Sequence, residues 1–206
     1  MTQHDERDTS FFLAIEGIDG SGKSTQARLV VEYLQGKGLD AERVQPVSSP
    51  DIDRAIRNRL SGRVDKKEES TALLFAADRF EMFDEKVRPV LDRGGIAVCD
   101  RYLLSSFVYQ VTKRVTIPWL QDINKHVPMP QGRIVLDVTP EVAVERVGMR
   151  DTTRDQYESI DFLKSARARY LNHPHECRHK VLDATRGESQ VTRGIISTLA
   201  EWGVEI

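Results

Sequence analysis

The sequence predicts an α/β fold in which a parallel sheet of about five strands is covered by helices on both faces. Three observations carry this prediction. Short apolar runs that read as strands alternate with segments of helical periodicity along the chain, and a glycine-rich turn joins the first strand to the first helix. Two later apolar runs finish at or near an aspartate, Asp100 and Asp137, at the strand ends where such sheets gather their ligands.

The elements follow in order. Phe11 to Glu16 is an apolar strand that meets a turn at Gly17, and from about Lys23 the positions Ala27, Leu29, Val30, Val31 and Leu34 recur with helical spacing. Gly36 and Gly38 stop that helix, a short strand is expected near Ala41 to Val44, and Pro46 through Pro50 mark a loop before a helix starting around Asp51. A long helix is expected from about Glu69 to Leu91, with Leu73, Leu74, Ala77, Phe80, Phe83, Val87 and Val90 at helical spacing, broken at Gly94-Gly95. Ile96 to Cys99 and Arg133 to Val138 are expected core strands, and Pro140 opens a helix. Another helix is expected over about Tyr157 to Leu171, then a strand near Lys180 to Leu182 and a closing helix from Glu188 to Trp202.

The length of 206 residues suits one substantial core. The expected organisation is a frayed lead-in over residues 1–10 and a single domain over 11–206. The composition, 39% hydrophobic and 30% charged, is that of a water-soluble protein, and the apolar runs are too short for a membrane span. The polar, mixed-charge start resembles neither a secretory leader nor a transit peptide, which places the expected location in the cytoplasm. Cys99 and Cys177 give no disulfide framework. With 30 basic and 32 acidic side chains there is no basic excess for a nucleic-acid polymer, but Arg supplies most of the cations, and guanidinium forks suit small phosphates.

The segment Gly17-Ile18-Asp19-Gly20-Ser21-Gly22-Lys23-Ser24 has the spacing Gly, four residues, Gly, Lys, Ser, and lies between strand and helix as a phosphate-binding loop must. Its glycines let backbone N–H groups turn inward around phosphate oxygens, the helix N-terminus favours the anion, Lys23 supplies a cation, and the Ser24 hydroxyl is placed for magnesium. A nucleotide's phosphate chain is the expected ligand of Gly17 through Thr25, a loop that switches, motors and kinases share. A mere connecting turn has no need of Lys-Ser after its last glycine.

The run Ile15 to Gln26 resembles the opening of the thymidylate kinases. Leu73-Leu74-Phe75-Ala76-Ala77-Asp78-Arg79, Cys99-Asp100-Arg101-Tyr102 with Ser105-Ser106 and Tyr109-Gln110, and Leu136-Asp137-Val138 with Pro140-Glu141-Val142-Ala143 agree with that family in order and approximate spacing, from about Phe11 to Trp202. The resemblance implies a P-loop nucleoside monophosphate kinase fold with a short lid at about residues 149–157, and transfer from ATP with Mg2+ to dTMP. A kinase for another pyrimidine monophosphate or a deoxynucleoside, and an ATP-binding regulator, are the competing readings.

By the same resemblance Phe75 stacks on thymine and Arg79 contacts the base edge; four residues apart, they share a helix face. A plain core role for Phe75 and a salt bridge from Arg79 to Asp78 are the bland alternatives. Arg101 is implied to grip the acceptor phosphate, with Arg57 reaching it from the preceding helix, although Arg57 also fits an ordinary basic face among Arg54, Arg59 and Arg63. Asp100 is implied to organise magnesium, Tyr109 to favour deoxyribose, Ser105, Ser106 and Gln110 to border the base, and Asp19 to bond the acceptor's 3′-hydroxyl. Bringing two anionic nucleotides together makes charge neutralisation the main task. The loop holds no Arg, so the catalytic lid arginine is assigned to Arg154, with Arg150 the second candidate. Homodimerisation is implied only by resemblance.

The chain departs from the family at Val44-Gln45-Pro46, where Gln45 replaces an acid, at Thr153 and Gln156 in the lid, and at Val111 after Tyr109-Gln110. His173, His175, Cys177 and His179 alternate at a spacing compatible with metal ligands, but the segment reads as a polar connecting loop.

Overall fold

The computed structural model describes residues 10–45, 49–64, 67–148, 160–174 and 176–206. Five strands, β1 (Phe11–Glu16), β2 (Ala41–Val44), β3 (Ile96–Asp100), β4 (Gly132–Asp137) and β5 (Arg178–Asp183), form one sheet in the order β2-β3-β1-β4-β5. Every pairing is parallel. All six residues of β1 are buried, so both faces of the central strand are covered, as its unbroken apolar run requires.

The chain fills one side of β1 with β2 and β3, then crosses to the other with β4 and β5. That switch opens a crevice at the carboxyl end of β1. The register sets Ile15 opposite Asp100 and Glu16 opposite Val135, bringing the ends of β1 and β3 level.

The helices are α1 (Lys23–Gly36), α2 (Pro50–Leu60), α3 (Glu68–Met82), α4 (Arg88–Asp92), α5 (Leu103–Tyr109), α6 (Ile117–Ile123), α7 (Pro140–Gly148), α8 (Ile160–Asn172) and α9 (Glu188–Glu201). The expected helix from Glu69 to Leu91 is present but interrupted by a π turn over Phe83–Val87, whose wide hydrogen bond runs from the Arg88 N–H to the Phe83 carbonyl. Pro89 explains it. A proline inside a helix has no N–H and crowds the preceding turn, and the widened turn lets Pro89 enter as the opening of α4.

The expected apolar stripe of this helix is also rotated in part. Ala72, Ala76, Phe83, Val87 and Val90 are buried, whereas Leu73 is 49% exposed and Ala77 is exposed. Two further helices, α5 and α6, occupy a stretch to which the sequence pattern assigned no element. Seven residues each is too short for periodicity to speak, but α6 carried a readable start: the Thr116 hydroxyl accepts from the Trp119 N–H, with Pro118 in the first turn. Among the described residues no helix is long and apolar enough to cross a membrane.

Candidate active site

The loop after β1 takes its shape from three glycines with positive φ: Gly17 at 145°, Gly20 at 82° and Gly22 at 90°. Two of them are also required by close approach. A Cβ on Gly17 would lie 2.6 Å from the Leu136 carbonyl oxygen, and one on Gly20 would meet the Ala143 backbone. Gly22 caps α1 in the left-handed conformation with open space around it, so backbone can approach a ligand there. Lys23 is buried and donates from Nζ to the Ile18 carbonyl at 2.7 Å. Burial, helped by repulsion from Arg101, lowers its pKa to about 8 against the pull of Asp19, Asp100 and Glu16. Ser24 stands exposed in the first turn of α1, with Thr25 half-buried beside it.

Arg101 ties this loop to the end of β3. Among the described residues it is the one non-glycine with positive φ, at 70°, and its N–H bonds the Ile15 carbonyl at 3.0 Å. Its guanidinium pairs with the Asp19 carboxylate and donates to the Gly17 carbonyl and Ser105 Oγ at 3.4 Å. Its carbon lies 5.3 Å from the centre of the Tyr109 ring. Burial alone would raise the Asp19 pKa, but the charges of Arg101 and Lys23 outweigh it and hold the carboxyl below its usual value. Asp100, also buried, pairs through Oδ2 with Arg43 at 3.2 Å. Gln45, turned so that its carbonyl faces the cation, accepts from Arg43 at 3.3 Å.

A cavity of about 470 Å³ joins Asp19 and Arg101 to Phe75 and Arg79. Ser105, Ser106, Tyr109 and Gln110 line it as well. Phe75 is partly exposed to this space instead of sealed in the core. The buried guanidinium of Arg79 reaches Asn124 Oδ1 at 2.5 Å and Ser106 Oγ at 2.6 Å, with the Tyr102 ring beneath it. Burial pushes the Tyr109 hydroxyl up to about 12 even though Arg101 pulls the other way.

One residue of the expected set stands apart. Arg57 donates through Nε to both oxygens of Asp53 at 2.7 Å, with its side chain 75% exposed, and it is absent from the cavity lining. Arg150 and Arg154, with Thr153 and Gln156, lie outside the described residues, as does His175. His173 stacks on Phe107 and His179 Nδ1 accepts from Arg133, so the two turn to different neighbours.

Several residues escaped sequence reasoning. From α8, Phe162 stacks on Tyr109 at 5.9 Å, Arg169 lines the cavity and bonds the Val108 carbonyl, and the Tyr170 hydroxyl meets Ser105. A second cavity of about 190 Å³ borders the outer side of the loop at Gly20, Gly22 and Thr25, with Arg146 and Arg186 in its wall. Arg146 donates to the Ala184 carbonyl at 3.0 Å, and Gln26 joins the wall by donating to the Glu188 carbonyl at 3.1 Å. The basic, aromatic series Arg167, Arg169 and Tyr170 was the available signal for α8; Arg146 and Arg186 gave none in isolation.

Two cavities thus flank one phosphate loop, and the larger carries the residues on which the resemblance rests. The thymidylate kinase family model matches residues 15–195. The chain is 37% identical over 186 residues to a probable thymidylate kinase of Pyrobaculum aerophilum, covering 89% of this chain and 93% of that one. It is 34% identical over 166 residues to a probable thymidylate kinase of Pyrococcus abyssi, covering 78% and 81%. With a thymidylate kinase of Symbiobacterium thermophilum it shares 34% identity over 194 residues, covering 90% and 91%. With Asp19 of the loop and the strand-end Arg101 lining the same aromatic cavity, and the match extending over most of its length, the chain belongs to the thymidylate kinase family.

Proposed function

We propose that this protein phosphorylates dTMP to dTDP with ATP, the donor triphosphate lying in the Gly17 to Thr25 loop and the acceptor in the cavity between Asp19 and Phe75. The observation that carries the reading is the shared space: Asp19, a loop residue, and Arg101 line the same cavity as Phe75 and Arg79. An acceptor phosphate at Arg101 therefore sits beside the donor's terminal phosphate. The smaller cavity at Arg146 and Arg186 suits the donor base.

Two nucleotides meeting head to head must have their repulsion cancelled. Lys23, the loop N–H groups and Arg101 supply fixed positive charge at the junction, which lowers the barrier without any reorganisation during transfer. Phe75 offers the base a flat apolar face, Arg79 donates at its edge, and Tyr109 closes on the sugar; Asp19 is free to exchange its bond to Arg101 for one to the acceptor's 3′-hydroxyl. Hard oxygen donors suit magnesium: the Ser24 hydroxyl is exposed, and Asp100 has one carboxylate oxygen beyond the Arg43 pair, so these two residues would hold the ion or its waters. Magnesium there would neutralise phosphate charge. Arg154 in a lid near residues 149–157 completes the assignment, and Arg57 joins only if its helix turns inward from Asp53.

The unit that performs this is a single domain over residues 11–206. Cys99 and Cys177 are free thiols, which suits a reducing compartment such as the cytoplasm. The exposed apolar pair Leu73 and Ala77 on α3 supports association as a homodimer. The test of substrate is an ADP-release assay across all nucleoside monophosphates with Mg2+ and ATP: dTMP is expected to give the highest kcat/KM, and turnover of another monophosphate with none for dTMP would refute the assignment.

A further inference from the structure

Glu16, the last residue of β1, is completely buried and holds the chain that follows the acceptor-site arginine. One carboxylate oxygen accepts from the Tyr102 N–H at 2.9 Å and the Ser105 N–H at 3.4 Å; the other accepts from the Ser105 hydroxyl at 2.6 Å. The Tyr102 N–H belongs to the peptide group that directly follows Arg101. Arg101 has a left-handed backbone at φ 70°, a conformation that a long side chain adopts only when its surroundings impose it. From the preceding side, its own N–H is fixed by Ile15, so β1 grips both peptides flanking this residue.

The side chain is governed by the same carboxylate. A carboxylate accepts only, so the single Ser105 proton is committed to Glu16. The 2.9 Å bond between Ser105 Oγ and the Tyr170 hydroxyl must then be donated by Tyr170. Both hydroxyl oxygens consequently turn lone pairs toward Arg101 Nη1, which lies 3.4 Å from Ser105 Oγ and 3.5 Å from the Tyr170 oxygen. We infer that Glu16 is a positioning residue for acceptor binding: through Tyr102, Ser105 and Tyr170 it sets both the backbone and the guanidinium of Arg101. A buried negative charge, costly in itself, has this polar arrangement as its return. The inference rests on Arg101 as the ligand of the acceptor phosphate.

The experiment is steady-state kinetics with dTMP and ATP on Glu16→Gln, Ser105→Ala, the double variant and Arg101→Ala, each checked for folding by circular dichroism. Glutamine keeps the shape but turns an N–H2 toward one of its present donors. Glu16→Gln is expected to raise the dTMP KM about tenfold, as loss of a hydrogen bond to a charged group does, with the ATP KM changed less than about twofold. Ser105→Ala should act in the same direction, and the double variant should be no worse than Glu16→Gln, because both changes cut one relay. An unchanged dTMP KM in Glu16→Gln, equal rises in both KM values, or multiplicative effects in the double variant would overturn the inference. If Glu16→Gln does not fold, Ser105→Ala and Tyr170→Phe decide: severalfold rises in the dTMP KM support the relay, and unchanged values refute it. A raised dTMP KM in Arg101→Ala alone leaves the reading of the site standing while the inference falls; an unchanged one removes both.

Discussion

At Lys23 an ammonium group is buried beside Arg101, and its pKa of about 8 lies below the ordinary 10.5. Between those two values the unfolded chain binds more protons than the folded one, so this group alone makes stability rise with pH through that window and weighs against the fold below it. A bound triphosphate would reverse the balance by favouring the charged form. ATP binding at pH 8.5 should therefore take up on the order of half a proton or more, read as heats that vary with buffer ionisation enthalpy. Lys23→Met should abolish that uptake and cut turnover by roughly 10²-fold or more. Phe75→Ala should raise the dTMP KM roughly 10- to 100-fold with the ATP KM unaltered, since only the acceptor base loses its stacking face. At this scale the loop was legible because its residues are contiguous and each type answers a separate need of a phosphate. That Phe75, Arg79 and Arg101 share one cavity was suggested by helical spacing and the strand end, but the roles assigned to them came only through likeness to a family. Glu16, Asn124 and Tyr170 were not legible, since their partners are set by folding: Ser105 reaches Glu16 across 89 positions of sequence, and Arg79 reaches Asn124 across 45.

Among the elements, α8 supplies Phe162 and Arg169 to the wall of the larger cavity. It sets Phe162 against Tyr109 and the buried Tyr170 against Ser105, and is fastened to the end of β4 by a two-pronged pair from Arg167 to Asp137, at 2.6 and 2.8 Å. The partial exposure of both side chains screens this pair, so Arg167→Ala should cost only about 1 kcal/mol and lower Tm by about 2–4 °C. Looser placement of Phe162 and Tyr170 should nevertheless lower turnover with dTMP severalfold, a loss that thermal melts and kinetics together would separate from simple unfolding. The buried central strand announced itself as a short apolar run stopped by glycine, which is why β1 matches its expected limits; β2, Ala-Glu-Arg-Val with its two middle residues not buried, was bounded by Gly38 before it and Pro46 after it. Short helices lack the length to show a period, and α3 carries apolar residues on more than one side, so its pattern could not tell the core face at Ala72 and Ala76 from the exposed one at Leu73 and Ala77.

For the molecule as a whole, the strand order follows from where the chain crosses β1, and that crossing places the Gly17 to Ser24 loop and the cavity at Phe75 and Arg101 at one sheet edge. Alternation of strand and helix predicted the parallel sheet; the order β2-β3-β1-β4-β5 required the structure, because periodicity carries no information about which strands pair. If Leu73 faces a second copy, sedimentation should find a dimer at micromolar concentration, and Leu73→Glu should yield monomers by burying a charge at the contact. The account as a whole stands on one arrangement, two nucleotides joined phosphate to phosphate across Asp19 and Arg101. Calorimetric titration with adenosine and thymidine linked 5′ to 5′ through five phosphates tests it most directly. One molecule per chain should bind at least about 100-fold more tightly than ATP alone, because the tether makes the second contact intramolecular. Affinity no greater than that of ATP, or equal affinity when the thymidine is removed from the probe, would contradict it.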